Sequence, residues 1–215
     1  MNPLPFILLA ISLPLLLGGC GGEASVNLTE LEVREGISYL KGSDAPYTGK
    51  VFELHEDGQK KSEADMTNGI LNGVIVNWHS NGQKEAEANY KNGKFDGSYH
   101  TWYENGQKEE EGDWNENKKV GLWIKWHKNG QREYEESYNT QGKVDGSSAW
   151  WYENGQKRLQ GNFKNGKGDG LITSWHKNGT KAAESDGDGQ NGNFWNSKGE
   201  SVNSYEETGW KKPAP

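Results

Sequence analysis

Glycine recurs along this chain at a fixed interval. Gly49, Gly73, Gly97, Gly121, Gly146 and Gly170 form one series, and Gly58, Gly82, Gly106, Gly130, Gly155 and Gly179 form a second. Both series advance in steps of 24, 24, 24, 25 and 24 residues. A period of this length marks a stacked array in which one supersecondary unit is copied along an axis. A side chain that returns in every unit is therefore first a structural part and only second a candidate for function.

One unit shows the local structure. Ser98 to Tyr103 is rich in aromatic and β-favouring residues. Asn105-Gly106 follows as a hairpin signal, since both residues accept the positive φ of a type I′ turn. Lys108 to Trp114 returns as a second strand, with Glu109, Glu111 and Asp113 alternating against Glu110, Gly112 and Trp114. Each unit thus predicts two short antiparallel strands and two tight turns. Four residues before each turn glycine stand Leu54, Trp78, Trp102, Trp126, Trp151 and Trp175. Eight residues after it stand Met66, Tyr90, Trp114, Tyr138 and Phe163. Two apolar columns are expected to run along the sheet, stacking like on like. The single 25-residue step places one extra residue in Tyr138–Gly142, which predicts a longer turn there with unchanged strand register.

Composition agrees with an elongated all-β array. Only 31% of the 215 residues are hydrophobic, which with a net charge of −7 would suggest disorder. Ten Trp and nine Tyr at regular spacing supply the missing buried area. The acidic balance, with its basic residues interleaved with Glu, excludes a nucleic-acid-binding face.

The ends of the chain read differently. Residues 1–19 contain an apolar run from Leu4 to Leu17, too short and too proline-broken to span a bilayer as a helix. It closes on Leu17-Gly18-Gly19-Cys20, which resembles a bacterial lipobox. Cys20, the single cysteine, is then the lipidated first residue of an exported, membrane-anchored protein. The alternative is an ordinary secretory signal with a chance cysteine. Gly21 rather than Asp follows, which favours the outer membrane in a cell with two. Residues 20–30 are expected to form a flexible tether and 31–48 an N-terminal cap. Six repeats fill 49–184, a degenerate repeat over 185–208 caps the C-terminal end, and 209–215 are a frayed tail.

The pattern Gly-x-x-x-x-Trp-(His/Tyr)-x-Asn-Gly-Gln-Lys, with segments such as Lys91-Asn92-Gly93-Lys94-Phe95-Asp96-Gly97 and Lys164-Asn165-Gly166-Lys167, resembles the bacterial variant of the MORN repeat. With the leading segment from Leu31, residues 31–200 resemble the YwqK-type proteins, often labelled antitoxins of toxin–antitoxin systems. The resemblance implies an elongated, rolled antiparallel sheet that makes protein or lipid contacts. It brings no catalytic motif and no cofactor.

Candidate chemical sites are few. His55, His79, His127 and His176 each stand three before a turn glycine, where other units have Tyr103 and Tyr152. One per repeat puts them about 10 Å apart, too far for a shared metal shell. Glu109-Glu110-Glu111 and Glu133, Glu135 and Glu136 read as solvent-facing partners of cross-strand cations rather than catalytic carboxylates. Asp186-x-Asp188-Gly189 hints at a calcium loop, but Trp195 or Ser197 falls where the bidentate Glu belongs, so no metal is assigned. Nothing here points to an enzyme. Trp150 stands where other units have Glu53, Asn77, Thr101 or Lys125, and is expected to be exposed. With Trp123 and Tyr99 it forms the candidate contact patch, edge shielding being the alternative. The expected activity is that of a membrane-tethered protein-binding or scaffold module. The other readings are neutralisation of a toxic protein, or binding of cell-wall glycan on an aromatic platform.

Overall fold

The computed structural model describes residues 25–187 and 191–211. The leader, Cys20 and residues 21–24 therefore lie outside the described part, as do residues 188–190 of the calcium-like loop. Val26–Asn27 (β1) opens the described chain, and a hairpin of Leu31–Arg34 (β2) and Ile37–Leu40 (β3) follows. The repeats begin with Gly49–Leu54 (β4), Lys60–Thr67 (β5), Ile70–Trp78 (β6) and Lys84–Lys91 (β7). Next come Lys94–Trp102 (β8), Lys108–Asn115 (β9), Lys118–Trp126 (β10) and Arg132–Tyr138 (β11). Val144–Trp151 (β12), Lys157–Lys164 (β13), Lys167–Gly168 (β14), Ile172–Trp175 (β15) and Lys181–Ser185 (β16) complete them. Gly192–Trp195 (β17) and Ser201–Val202 (β18) close the array.

From β4 onward the strands pair antiparallel in chain order, except that β14 and β15 both pair with β13; together with β1 they form one long sheet of 16 strands, and β2–β3 form a separate two-stranded sheet. The all-β repeat architecture expected from the glycine period is the one observed. At the N-terminal edge β1 pairs parallel with β4, joining Val26 to Val51 and Asn27 to Phe52. Residues 26–30 are thus part of the fold and not of a tether: Val26 packs against the Val51 cluster, and Leu28–Glu30 form a 3-10 turn capped by Asn27. The β2–β3 hairpin docks on the first repeat, where the Ser38 N–H meets the Gly69 carbonyl at 3.0 Å.

The two turns of each unit exchange the roles read from the sequence. The Asn-Gly pairs beside the tryptophans are not type I′. At Tyr103–Gln107 the Gly106 N–H donates to the Tyr103 carbonyl at 2.8 Å, and the Tyr103 N–H to the Gln107 carbonyl at 2.9 Å. Gly106 alone has positive φ, +79°. This is a type I turn closed by a left-handed glycine, a three-residue loop with a bulge. It leaves Glu109 as the extra residue between the pairs Thr101–Glu110 and Trp102–Lys108. Asn105 keeps ordinary φ because its side chain accepts the Gln107 N–H at 3.1 Å. Type I′ geometry occurs at the other end of the unit, where Asn92 and Gly93 have φ of 51° and 75° between the paired Lys91 and Lys94. The opening glycines are not at turns either. Gly97 lies inside the nine-residue strand β8, where pairing with β7 slips between Ala88 and Tyr90. The 25-residue step behaves as expected: Asn139–Lys143 forms a three-residue loop, and Glu136 still pairs Ser148.

Candidate functional site

The recurrent polar side chains are used up in holding one unit to the next. His55, His79, His127 and His176 place Nε2 2.8–3.1 Å from the carbonyls of Trp78, Trp102, Trp151 and Trp195. A carbonyl can only accept, so each Nε2 carries the proton. Tyr103 and Tyr152 donate their hydroxyls to Trp126 and Trp175 in the same way, at 2.6 and 2.8 Å. That shared acceptor is the reason His and Tyr interchange in this column. A second ladder runs beside it: Asn81, Asn105, Asn129, Asn154 and Asn178 donate from Nδ2 to turn carbonyls of the following unit.

One sheet face carries the core. Large and small residues alternate across neighbouring strands, so that the Trp123 ring lies over Gly112. Trp123 is 0% exposed and packs edge-on against Trp114, with Tyr99 tilted beside it at 5.7 Å. This corrects the expected contact patch. Trp123 shares its column with Val51, Ile75 and Tyr99, the inward positions of the first strand, and has no exposed surface. Trp150 points to the same face, two residues on from the buried Ser148. Its ring rests on Tyr134 at 4.8 Å, and its Nε1 donates to Glu136 at 2.9 Å. Tyr99, half-buried among Phe95, Trp114 and Trp123, completes a cluster that packs rather than projects.

Two carboxylates read as solvent-facing are also inside. Glu136 is buried and accepts from Ser148 Oγ, Trp150 Nε1 and Tyr138 Oη at 2.8–2.9 Å. Glu110 accepts from Lys119 Nζ at 2.8 Å and from the Tyr134 hydroxyl. Lys119 stands 3.9 Å from the Trp123 ring centroid. Burial, reinforced by the neighbouring carboxylates, pushes the Tyr134 and Tyr138 hydroxyls well above the ordinary tyrosine range. They remain neutral donors, which is what the carboxylates require. Strand alternation could have revealed both glutamates: Glu110 falls in the column of Ser62, Ala86 and Leu159, and Glu136 in that of Ala64, Ala88 and Gly161.

The opposite face presents the column Trp78, Trp102, Trp126, Trp151 and Trp175, all half-buried. Over three of these rings lies a lysine of the preceding unit, Lys60 at 5.3 Å, Lys84 at 5.2 Å and Lys108 at 5.8 Å. Each of these lysines also pairs with a glutamate three residues on, at Glu63, Glu87 and Glu111. Near the C-terminal end the face opens into a cleft of about 610 Å³, lined by Trp151, Trp175, Leu171, Lys157 and Thr173 among others. Among the described residues no three His, Cys, Asp or Glu side chains gather into a metal-binding group.

The C-terminal segment belongs to the molecule as well. The turn after Trp195 repeats the three-residue pattern, with Gly199 N–H on the Asn196 carbonyl at 2.9 Å. Residues 209–211 are not a frayed tail. Trp210 is buried against Leu159 and Ala182, its Nε1 donates to the Trp175 carbonyl at 2.8 Å, and the Lys211 carbonyl accepts from Arg158.

Compared with known families, the chain matches the MORN repeat variant over residues 71–92, 119–140 and 144–165. That repeat is a non-catalytic type that mediates protein or membrane contacts. No curated protein matches the chain.

Proposed function

We propose that this chain is a membrane-anchored, non-catalytic repeat protein that binds another protein at the bacterial cell envelope. The observation that carries protein binding is a row of exposed aliphatic side chains. Val74, Leu122 and Leu171 are 39%, 48% and 62% exposed, and all sit one residue after an opening glycine. The other units place Lys50, Ser98 and Ser147 there. By strand alternation the row lies on the same face as the Trp78 column. Aliphatic anchors set in an otherwise charged surface mark a contact face. The repeat type supports the same reading. Anchoring is supported by Leu17-Gly18-Gly19-Cys20, with lipid carried on Cys20, and Gly21 favours the outer of two membranes. Neutralisation of a toxic protein is the special case suggested by the likeness of residues 31–200 to YwqK-type proteins; export would place that target outside the cytoplasm.

The test uses the full-length chain recovered from detergent-solubilised envelopes. A partner should co-purify in constant ratio and be lost from Leu122→Lys, while Cys20→Ser should leave the membrane fraction. Equal recovery of the same protein by Leu122→Lys would remove this face from the interface. A Cys20→Ser chain still in the membrane would remove the lipid anchor.

A further inference from the structure

We infer that the cleft between Trp151 and Trp175 is a binding site for an acidic oligosaccharide. It shares only Leu171 with the exposed row of Val74, Leu122 and Leu171, and it stands whether or not that row binds protein.

Three observations converge on this cleft. First, its indoles carry no stacked cation or ring. The rings of Trp78, Trp102 and Trp126 are each covered by the lysine of the preceding unit. Trp195 is covered likewise by Lys181 at 5.6 Å. Among the described residues no cation and no other ring covers Trp151 or Trp175. Arg132 and Lys157, the equivalents of those lysines, keep the pairing three residues on, with Glu135 and Gln160, but lie over neither ring.

Second, the backbone makes room there. The strand that is nine residues long in β6, β8 and β10 is broken at Asp169-Gly170-Leu171 into β14 and β15. β13 and β15 then share only two paired positions, Leu159 with Ser174 and Gln160 with Thr173. The interrupted ladder leaves a depression between the two tryptophans. They lie two strand spacings apart, about 10 Å.

Third, the charge of the cleft is opposite to that of the chain. Its lining holds Arg132, Lys157 and Lys181 against Glu135 and Glu184, a surplus of one cation, whereas the whole chain carries −7. The surplus is Lys157. Gln160 stands where most other units have Glu63, Glu87, Glu111, Glu135 or Glu184, so this ammonium has no carboxylate partner among the described residues.

Two flat apolar rings at saccharide-scale separation, with amide and hydroxyl groups between them, suit the C–H faces and hydroxyl edges of pyranose units. An ammonium in the lining without a carboxylate partner suits a carboxylate on the sugar. A basic peptide would meet the wrong charge, and the cations are too few to track a nucleic-acid backbone.

The experiment is a calorimetric titration of the full chain with a galacturonic acid hexasaccharide and with neutral cellohexaose, tryptophan emission being followed in parallel. The acidic sugar should bind saturably and the neutral one roughly tenfold more weakly. Lys157→Gln should remove that preference while leaving neutral binding in place. Trp151→Ala and Trp175→Ala should each lower acidic-sugar affinity by tenfold or so, and Trp78→Ala should leave it unchanged. Circular dichroism would establish that the variants fold, and Lys157→Gln changes only an exposed side chain. The inference is overturned if the acidic hexasaccharide fails to saturate, or if its binding survives both cleft tryptophan substitutions. Equal affinity for the two sugars, or the same loss for both in Lys157→Gln, would overturn the requirement for an acidic group.

Discussion

Gly112 shows how single residues decide the core. A methyl group built on it would stand 2.3 Å from Cδ2 of Trp123. Both groups are fixed, the one by strand pairing and the other by complete burial, so neither can retreat. Gly112→Ala should therefore destabilise the chain by about 1–3 kcal/mol in denaturant melts; a neutral result would mean that Trp123 is free to move. Tyr103 makes a pH-dependent contribution. Burial first, then the nearby Glu109, Glu133 and Glu153, push its hydroxyl from 10.0 to about 12. The unfolded chain loses this proton first as pH rises. The contribution is thus complete below pH 10 and is lost as pH climbs towards 12. Denaturant melts across that window, read beside tyrosinate absorbance, should show falling stability; a flat profile would contradict the assignment. Neither residue announces itself in the sequence, because one glycine or tyrosine among many gains its role from a neighbour 11 or 23 positions away.

At the level of the element, the turn ladders explain why the repeat is so regular. His127 and Tyr103 perform the same task, donation to a tryptophan carbonyl in the next unit. His127→Tyr should change stability by less than about 0.5 kcal/mol, whereas His127→Leu should cost about 1 kcal/mol by stranding the Trp151 carbonyl. Thermal melts of the two variants side by side decide the matter, and equal losses would mean that the ring matters and the bond does not. The sequence identified both turns and their spacing but assigned the type I′ form to the wrong one. Asn-Gly permits two geometries: the left-handed pair at Asn92-Gly93, and the type I turn at Asn105-Gly106, where the Asn side chain bonds locally instead. The longer three-residue loop, with its extra bulge residue, selects the second.

For the whole molecule, stability in an array comes from contacts between neighbours, so the ends matter most. Trp210 closes the C-terminal end by covering Leu159 and Ala182 and bonding to Trp175. Trp210→Ala should cost about 3–5 kcal/mol locally. Hydrogen exchange should show protection falling over β15 to β18 while β6 to β9 keep theirs. Uniform loss along the chain would indicate a single cooperative unit rather than an array.

The sequence alone determined the period, the all-β class and the positions of the turns. These follow from short-range rules: strand alternation, turn chemistry and repetition. The tertiary structure decided which residues of a unit face each other across strands. It buried Trp123 and Glu136, turned Trp150 and Glu110 to the core face, docked residues 209–211, and left Trp151 and Trp175 without a covering cation. Each outcome depends on which side chain of a neighbouring strand fills or vacates a given space. That is fixed by register and bulges across two strands, and no single strand's pattern contains it.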